Sequence, residues 1–116
     1  MRSVTGRNNF PQVGQLNKRL EILKLESDDN NVGGRNNLNW EVESKTWGMI
    51  SNLNGRERFE MNQSQAELTH KIVIRYREDI DRTNNIRYGN RVFEIDYIVD
   101  LEEAKRFLVL YVNERV

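Results

Sequence analysis

The chain contains one histidine and no cysteine, so the side chains that most often perform chemistry are nearly missing. Without cysteine there is no disulfide, no thiolate nucleophile and no zinc–thiolate site. His70 stands at the start of a strand pattern, in line with Ile72, and no second ligand at metal-binding spacing lies near it. It therefore reads as a structural histidine. Gly33-Gly34 sits inside an Asn/Asp-rich run, whereas a phosphate cradle needs a strand before its glycines and a helix opening on them. The "DDNN" of residues 28–31 lacks the alternating ligand spacing and the closing glutamate of a calcium loop. The acid pair Glu102-Glu103 falls in a turn pattern. These residues define no catalytic centre, no cofactor and no metal site, and the chain is expected not to be an enzyme.

The totals point the same way. A length of 116 residues fits one domain, and such a domain buries about two-thirds of its unfolded surface. With 37% hydrophobic residues and a mean hydropathy of -0.80, the core must be economical. Eighteen basic residues balance eighteen acidic ones. Zero net charge argues against a dedicated nucleic-acid binder, whose affinity comes from neutralising phosphates. It also removes self-repulsion and mildly favours association. No apolar run approaches the roughly 18 to 20 residues of a membrane helix, and "MRSVTGRNNF" lacks the apolar stretch of a signal peptide. A soluble protein made in a cytoplasm is expected.

The elements follow from periodicity. Residues 1–14 are polar and hold the only proline, Pro11. Two readings fit this arm: a frayed terminus, or a segment that docks on a neighbour through Val4, Phe10 and Pro11. "QLNKRLEILKLE" (15–26) has leucines at helical spacing and an alternating Leu20/Ile22, and a strand is favoured because a long loop and a second strand pattern follow. In "WEVESKTWGMISNL" (40–53) the apolar parity changes near Glu43 to Lys45, which suggests a bulge or two short strands. Both tryptophans are read as core, with a partner-facing Trp40 as the alternative. "NGRERFEMNQSQAEL" (54–68) is a helix, capped by Asn54 with Glu57 placed to reach back.

"THKIVIRYRED" (69–79) is the clearest strand. Ile72, Ile74 and Tyr76 point one way, and Lys71, Val73, Arg75 and Arg77 the other. The basic face is either solvated and crossed by acidic pairs, or it meets a polar partner. Gly89-Asn90 suits a two-residue hairpin turn. Beyond it Phe93, Ile95, Tyr97 and Val99 alternate with Glu94 and Asp96, acids placed to face the basic strand across a ladder. "RFLVLYVNERV" (106–116) is apolar on both faces, which requires cover on both sides. The fold class predicted is mainly β: a small antiparallel barrel or sandwich of five or six strands, with one short helix and one long loop. A flexible arm (1–14) precedes a single domain (15–116).

The order of these motifs resembles one known family. "KRLEI", a Gly-Gly loop, "NLNWEVESKTWGMI", the block "GRERFEMNQSQAELTHKIVIRYRED" and "IRYGNRVFEIDYIVD" together are similar to the head-tail joining proteins of long-tailed bacteriophages. These are also called head-closure, adaptor or stopper proteins. The likeness spans roughly residues 15–116. It implies small barrels that assemble as a ring, typically of twelve subunits, beneath the portal-bound adaptor protein. Such a ring would sit at the neck of the virion, close the DNA-filled head and present a surface to a tail-completion or tail-terminator protein. Double-stranded DNA would pass through its channel without sequence-specific binding. A tail-completion protein of related fold is the alternative within the same resemblance. From a different class, an OB-like nucleic-acid module would need exposed aromatics among basic residues.

Two surfaces acquire roles under this resemblance. "SDDNNVGGRNNLN" (27–39) is unusually long for a loop in a compact domain. Folded back on itself it spans roughly 20 Å at about 3.4 Å per residue, and ordering it costs on the order of 13 to 26 kcal/mol of backbone entropy. Asp28, Asp29, Asn30, Asn31, Val32, Gly33, Gly34, Arg35, Asn36 and Asn37 are thus expected to be mobile in a monomer and to line or gate the channel in a ring. A tolerated insertion without a role is the other reading. For the contact between subunits, the basic Lys71, Arg75 and Arg77 would meet the acidic Asp100, Glu102 and Glu103.

Overall fold

The structure, a computed structural model, describes residues 10–25, 39–55, 57 and 68–115, with Val13 by its backbone alone. The loop segment from Asp28 to Asn37, Val4 of the arm and the body of the expected helix lie outside the described residues. Six strands form a closed barrel in the order β1-β2-β3-β6-β5-β4. They are β1 (Lys18–Leu25), β2 (Trp40–Asn52), β3 (His70–Arg75), β4 (Asn85–Tyr88), β5 (Arg91–Asp100) and β6 (Phe107–Arg115). Every neighbouring pair is antiparallel.

Alternation puts one face of each strand inside. Leu20 and Ile22 of β1, Ile72 and Ile74 of β3, Ile86 of β4, Phe93 and Ile95 of β5, and Leu108, Leu110 and Val112 of β6 fill the barrel. Ile80, from the β3–β4 connection, plugs one end. Tyr76, Tyr88 and Ile98 pack against this core. Close packing of branched side chains in so small a barrel leaves a filled interior, not a pore.

β2 binds the barrel together by changing partners. Its first part pairs with β1 and its last part with β3, and Gly48 belongs to both ladders, opposite Lys18 and opposite Ile74. A Cβ at Gly48 would stand 2.5 Å from Leu20 Cδ1 and 2.9 Å from the Val73 carbonyl oxygen. Only glycine fits this corner, where two strands converge on β2. The parity change expected near Glu43 is a bulge: Ile22 pairs with Ser44, Leu23 with Val42, and Glu43 is the extra residue.

A buried amide locks that bulge. Asn84 Nδ2 donates to the Leu23 carbonyl at 3.0 Å and to Glu43 Oε1 at 3.2 Å, while its Oδ1 accepts from the Asp81 N–H at 2.9 Å. A buried polar side chain partnered this fully fixes the β3–β4 connection against the β1–β2 hairpin. The hairpin turn at Gly89-Asn90 forms as expected, with Tyr88 opposite Arg91 and Gly89 at φ +63. The ladder between β1 and β4, which closes the barrel, is the shortest: Glu21–Arg87, Ile22–Ile86 and Leu23–Asn85. Arg87 Nε reinforces it by donating to Glu21 Oε1 at 2.6 Å.

Three expectations are corrected. Tyr97 and Val99 do not continue the inward row of Phe93 and Ile95, because a bulge between Ile95 and Tyr97 reverses the parity. Ile98 points in instead, and Tyr97 stacks outside on Tyr111 with ring centroids 4.8 Å apart. The tryptophans are not core: Trp40 and Trp47 are 37% and 51% exposed. Trp47 lies opposite Arg19 on the outer wall, where the guanidinium covers its ring at 5.1 Å. Finally, Glu94 and Asp96 do not face the basic strand. β6 separates β3 from β5, and Glu94 pairs with Arg115.

Candidate interaction surfaces

The outer wall of β6 shows how the doubly apolar strand is covered. Phe107 and Val109 are buried in a second cluster with Leu16 and Val73, flanked by Phe10, Met49, Leu101 and Tyr111. The segment before β1 thus lies across the barrel wall. The Phe10 ring sits 6.2 Å from that of Phe107, with the Arg106 guanidinium over it at 4.5 Å. The turn Val13–Gln15 carries the chain on to Leu16, and the Gln12 N–H donates to Gln15 Oε1 at 2.8 Å. Beside this segment remains a groove of about 320 Å³ lined by Phe10, Pro11, Met49, Lys71, Val109 and Tyr111 among others.

Outward from β3, the three cations have different fates. Lys71 Nζ donates to Glu57 Oε2 at 2.9 Å. Glu57 in turn accepts at Oε1 from the Asn54 N–H at 3.1 Å, and its own N–H donates to Asn54 Oδ1 at 2.8 Å. That reciprocal cap is the one expected, and it ties the start of the helix to β3. The bond from Lys71, then that from the Asn54 backbone, holds the Glu57 carboxyl below its ordinary value. Arg77 Nε donates to Asp79 Oδ1 at 2.6 Å, and its Nη2 donates to Asp79 Oδ2 at 2.9 Å and Ser44 Oγ at 2.8 Å. The Asp79 bond raises the Arg77 pKa. Arg75 has no ion pair among the described residues and is exposed.

The acidic turn after β5 is a 3₁₀ turn, Leu101–Glu103, anchored by Leu101 in the outer cluster. Asp100 Oδ1 accepts the Lys105 N–H at 3.0 Å. Glu102, Glu103 and Lys105 have φ of 57, 52 and 57. Three non-glycine residues in left-handed conformation within one short turn cost of order 1–3 kcal/mol each.

His70, Thr69, Arg91 and Glu114 gather at the other end of the barrel. Arg91 holds Glu114 through two bonds of 2.9 and 3.1 Å, and His70 Nδ1 lies 2.8 Å from Thr69 Oγ1. The His70 ring meets Phe93 edge-on at 5.4 Å. The Arg91 bond keeps the Glu114 carboxyl below its ordinary value. Among the described residues no group of three or more His, Cys, Asp or Glu is placed to hold a metal ion, and no helix is long and apolar enough to cross a membrane.

Two surface patches were not assembled by the sequence reading, although Trp40 as partner-facing was its alternative and Arg75 was among its candidate interface residues. On one face of the β1–β2 hairpin, Leu25 pairs with Trp40 and Leu23 with Val42, and Leu25, Trp40 and Val42 are exposed. Farther along the same wall stand Arg19, Trp47 and Arg75. The available signal was Lys45, which shares the parity of Trp47 and marks that row as outward-facing.

The chain is a closed antiparallel barrel whose outer wall carries clasped charges and exposed apolar patches. The chain belongs to the phage head completion protein family, whose model matches residues 11–115. Solved structures share its fold. The solution structure of protein SF1141 from Shigella flexneri 2a aligns at TM-score 0.69 with 23% identity, over 89% of this chain and 96% of that one. A chain from the virion of a native gene transfer agent particle aligns at TM-score 0.63 with 19% identity, over 92% of this chain and 98% of that one. No curated protein matches the chain at a significant level.

Proposed function

We propose that this protein completes the phage head by forming a ring at the virion neck, between the portal-bound adaptor and the tail. The family match across residues 11–115 carries this reading. The ring is assembled from copies of this chain, typically twelve in the family it resembles, after synthesis in the host cytoplasm. It works by shape and contact, without a reaction or cofactor: it closes the DNA-filled head and offers the tail a surface. The filled barrel interior supports a channel formed between subunits rather than through one.

The segment Asp28–Asn37 is assigned to the channel side of that ring, beyond the hairpin end where β1 and β2 stop pairing. The arm holding Val4, Phe10 and Pro11 is assigned to docking; Phe10 itself rests on its own barrel, so the arm's contribution to a neighbour falls to residues before it. Amide exchange across residues 28–37 tests the channel assignment. Exchange should slow on assembly, and strong protection in the isolated chain would contradict it. The main test is a phage lacking the protein. Filled heads that lose DNA and bear no tails are expected; normal tailed particles would end the reading.

A further inference from the structure

Arg19 of β1, Trp47 of β2 and Arg75 of β3 form one row across three adjacent strands on the outer wall. Arg19 pairs with Trp47 in the β1–β2 ladder. Gly48 pairs with Ile74, so the next rung sets Trp47 beside Arg75. Trp47 and Arg75 line one depression of about 360 Å³ with Leu16 and Asn17. Trp47 is 51% exposed, and Arg19 and Arg75 have no ion pair among the described residues. Lys45 stands two rungs further along the same wall, opposite Glu21. An exposed tryptophan between two guanidinium groups, one stacked on its ring and neither ion-paired among the described residues, has the make-up of an interface hot spot.

We propose that this row receives the turn Asp100–Glu103 of a second copy of the chain. The inference rests on the ring reading above and names its contact. Three observations choose the occupant. First, Lys71 and Arg77 are spent on Glu57 and Asp79, so of the three cations on the outer face of β3 it is Arg75, in this row, that has no ion pair among the described residues. Second, the complementary charge exists on the same chain, in a turn held outward by left-handed Glu102 and Glu103. Third, Leu101 packs on the outer cluster of Leu16, Val73, Phe107 and Val109, which fixes the turn on the barrel wall and leaves its exposed Glu103 facing solvent. Row and turn are different patches, so the contact is head-to-tail, the kind that builds a ring when the rotation between subunits closes. Exposed tryptophan among arginines also suits single-stranded nucleic acid. One carboxylate, Glu21, within the patch and a net charge of zero favour the acidic turn.

The absence of cysteine allows a direct test. Asn17 lines the depression and Ala104 ends the turn; both are exposed. The variant Asn17→Cys/Ala104→Cys is oxidised at high concentration, alone and on tail-less heads, and compared with each single-cysteine variant. A covalent ladder of many subunits is expected from the double variant, and nothing beyond a dimer from either single one. Mixing the two single variants should give their heterodimer, which checks the contact if the double variant folds poorly. Adding Glu103→Lys or Trp47→Ala should suppress the ladder, with association weakened roughly tenfold or more. Native mass spectrometry of the same samples separates the two claims. Oligomers without a ladder overturn this contact and leave the ring standing; no oligomers in either setting overturn both. A salt-dependent shift of single-stranded DNA that Trp47→Ala abolishes would assign the row to nucleic acid and overturn the proposal.

Discussion

Phe107 and Trp47 are both large aromatic residues on the outside of the same barrel, yet one is 3% exposed and the other 51%. The difference lies in what crosses over them. Phe107 is overlaid by the chain's own segment from Phe10 to Leu16; Trp47 is flanked by the arginines on neighbouring strands. An apolar wall covered by its own chain contributes to stability. An apolar wall left beside cations contributes to association, since desolvating it is deferred to a partner.

The largest effect should separate the two walls outright. Phe107→Ala removes a buried ring from the covered side and should cost about 3 to 5 kcal/mol in denaturant unfolding. A cost near that of an exposed residue would deny that the segment before β1 is a true lid. Gly48→Ala comes next, at about 1 to 3 kcal/mol from overpacking. Its methyl would push on Leu20 and the Val73 carbonyl, disturbing the bend that presents Trp47. Unchanged stability would mean that β2 bends elsewhere. Phe10→Ala should cost about 1 kcal/mol, since only part of its ring is buried. It should also speed amide exchange along β6; an effect spread evenly over the barrel would argue against a local cover.

A smaller effect comes from acid. Glu21, Glu57, Asp79 and Glu114 all have carboxyl pKa values lowered chiefly by hydrogen bonds from Arg87, Lys71, Arg77 and Arg91. Because folding lowers these values, the stability they add is present above the ordinary carboxylate range and is lost as pH falls through the depressed values. Melting temperature should therefore drop as pH is lowered below about 4.5, and Glu114→Gln should flatten that drop. A profile that the substitution leaves unaltered would show the Arg91 clasp to be idle. Smallest of all, Trp47→Ala should change the stability of the isolated chain by no more than about 0.5 kcal/mol. A loss as large as that of Phe107→Ala would place Trp47 in the core after all.

Much of the barrel could be read where alternation ran unbroken. The inward row Ile72, Ile74 and Tyr76, the Gly89-Asn90 turn and the Asn54–Glu57 cap depend on neighbours within a few positions, and local chemistry fixes them. The bulge at Glu43 was visible because apolar residues lie on both sides of it. The bulge at Asp96 was not, because Tyr97 and Val99 are as apolar as the residues that replace them inside, so parity carried no contradiction. The clasp of Lys71 on Glu57, the bond from Arg77 to Ser44 and the cover over Phe107 join residues far apart in the chain. Nothing local specifies them, and they decide which charges remain for a partner.

The cylinder is fastened along its shortest overlap by three rungs and the Arg87–Glu21 clasp. A closed wall parts first where the fewest rungs hold it, so Arg87→Ala should speed amide exchange in β4 and the facing stretch of β1 ahead of the other ladders.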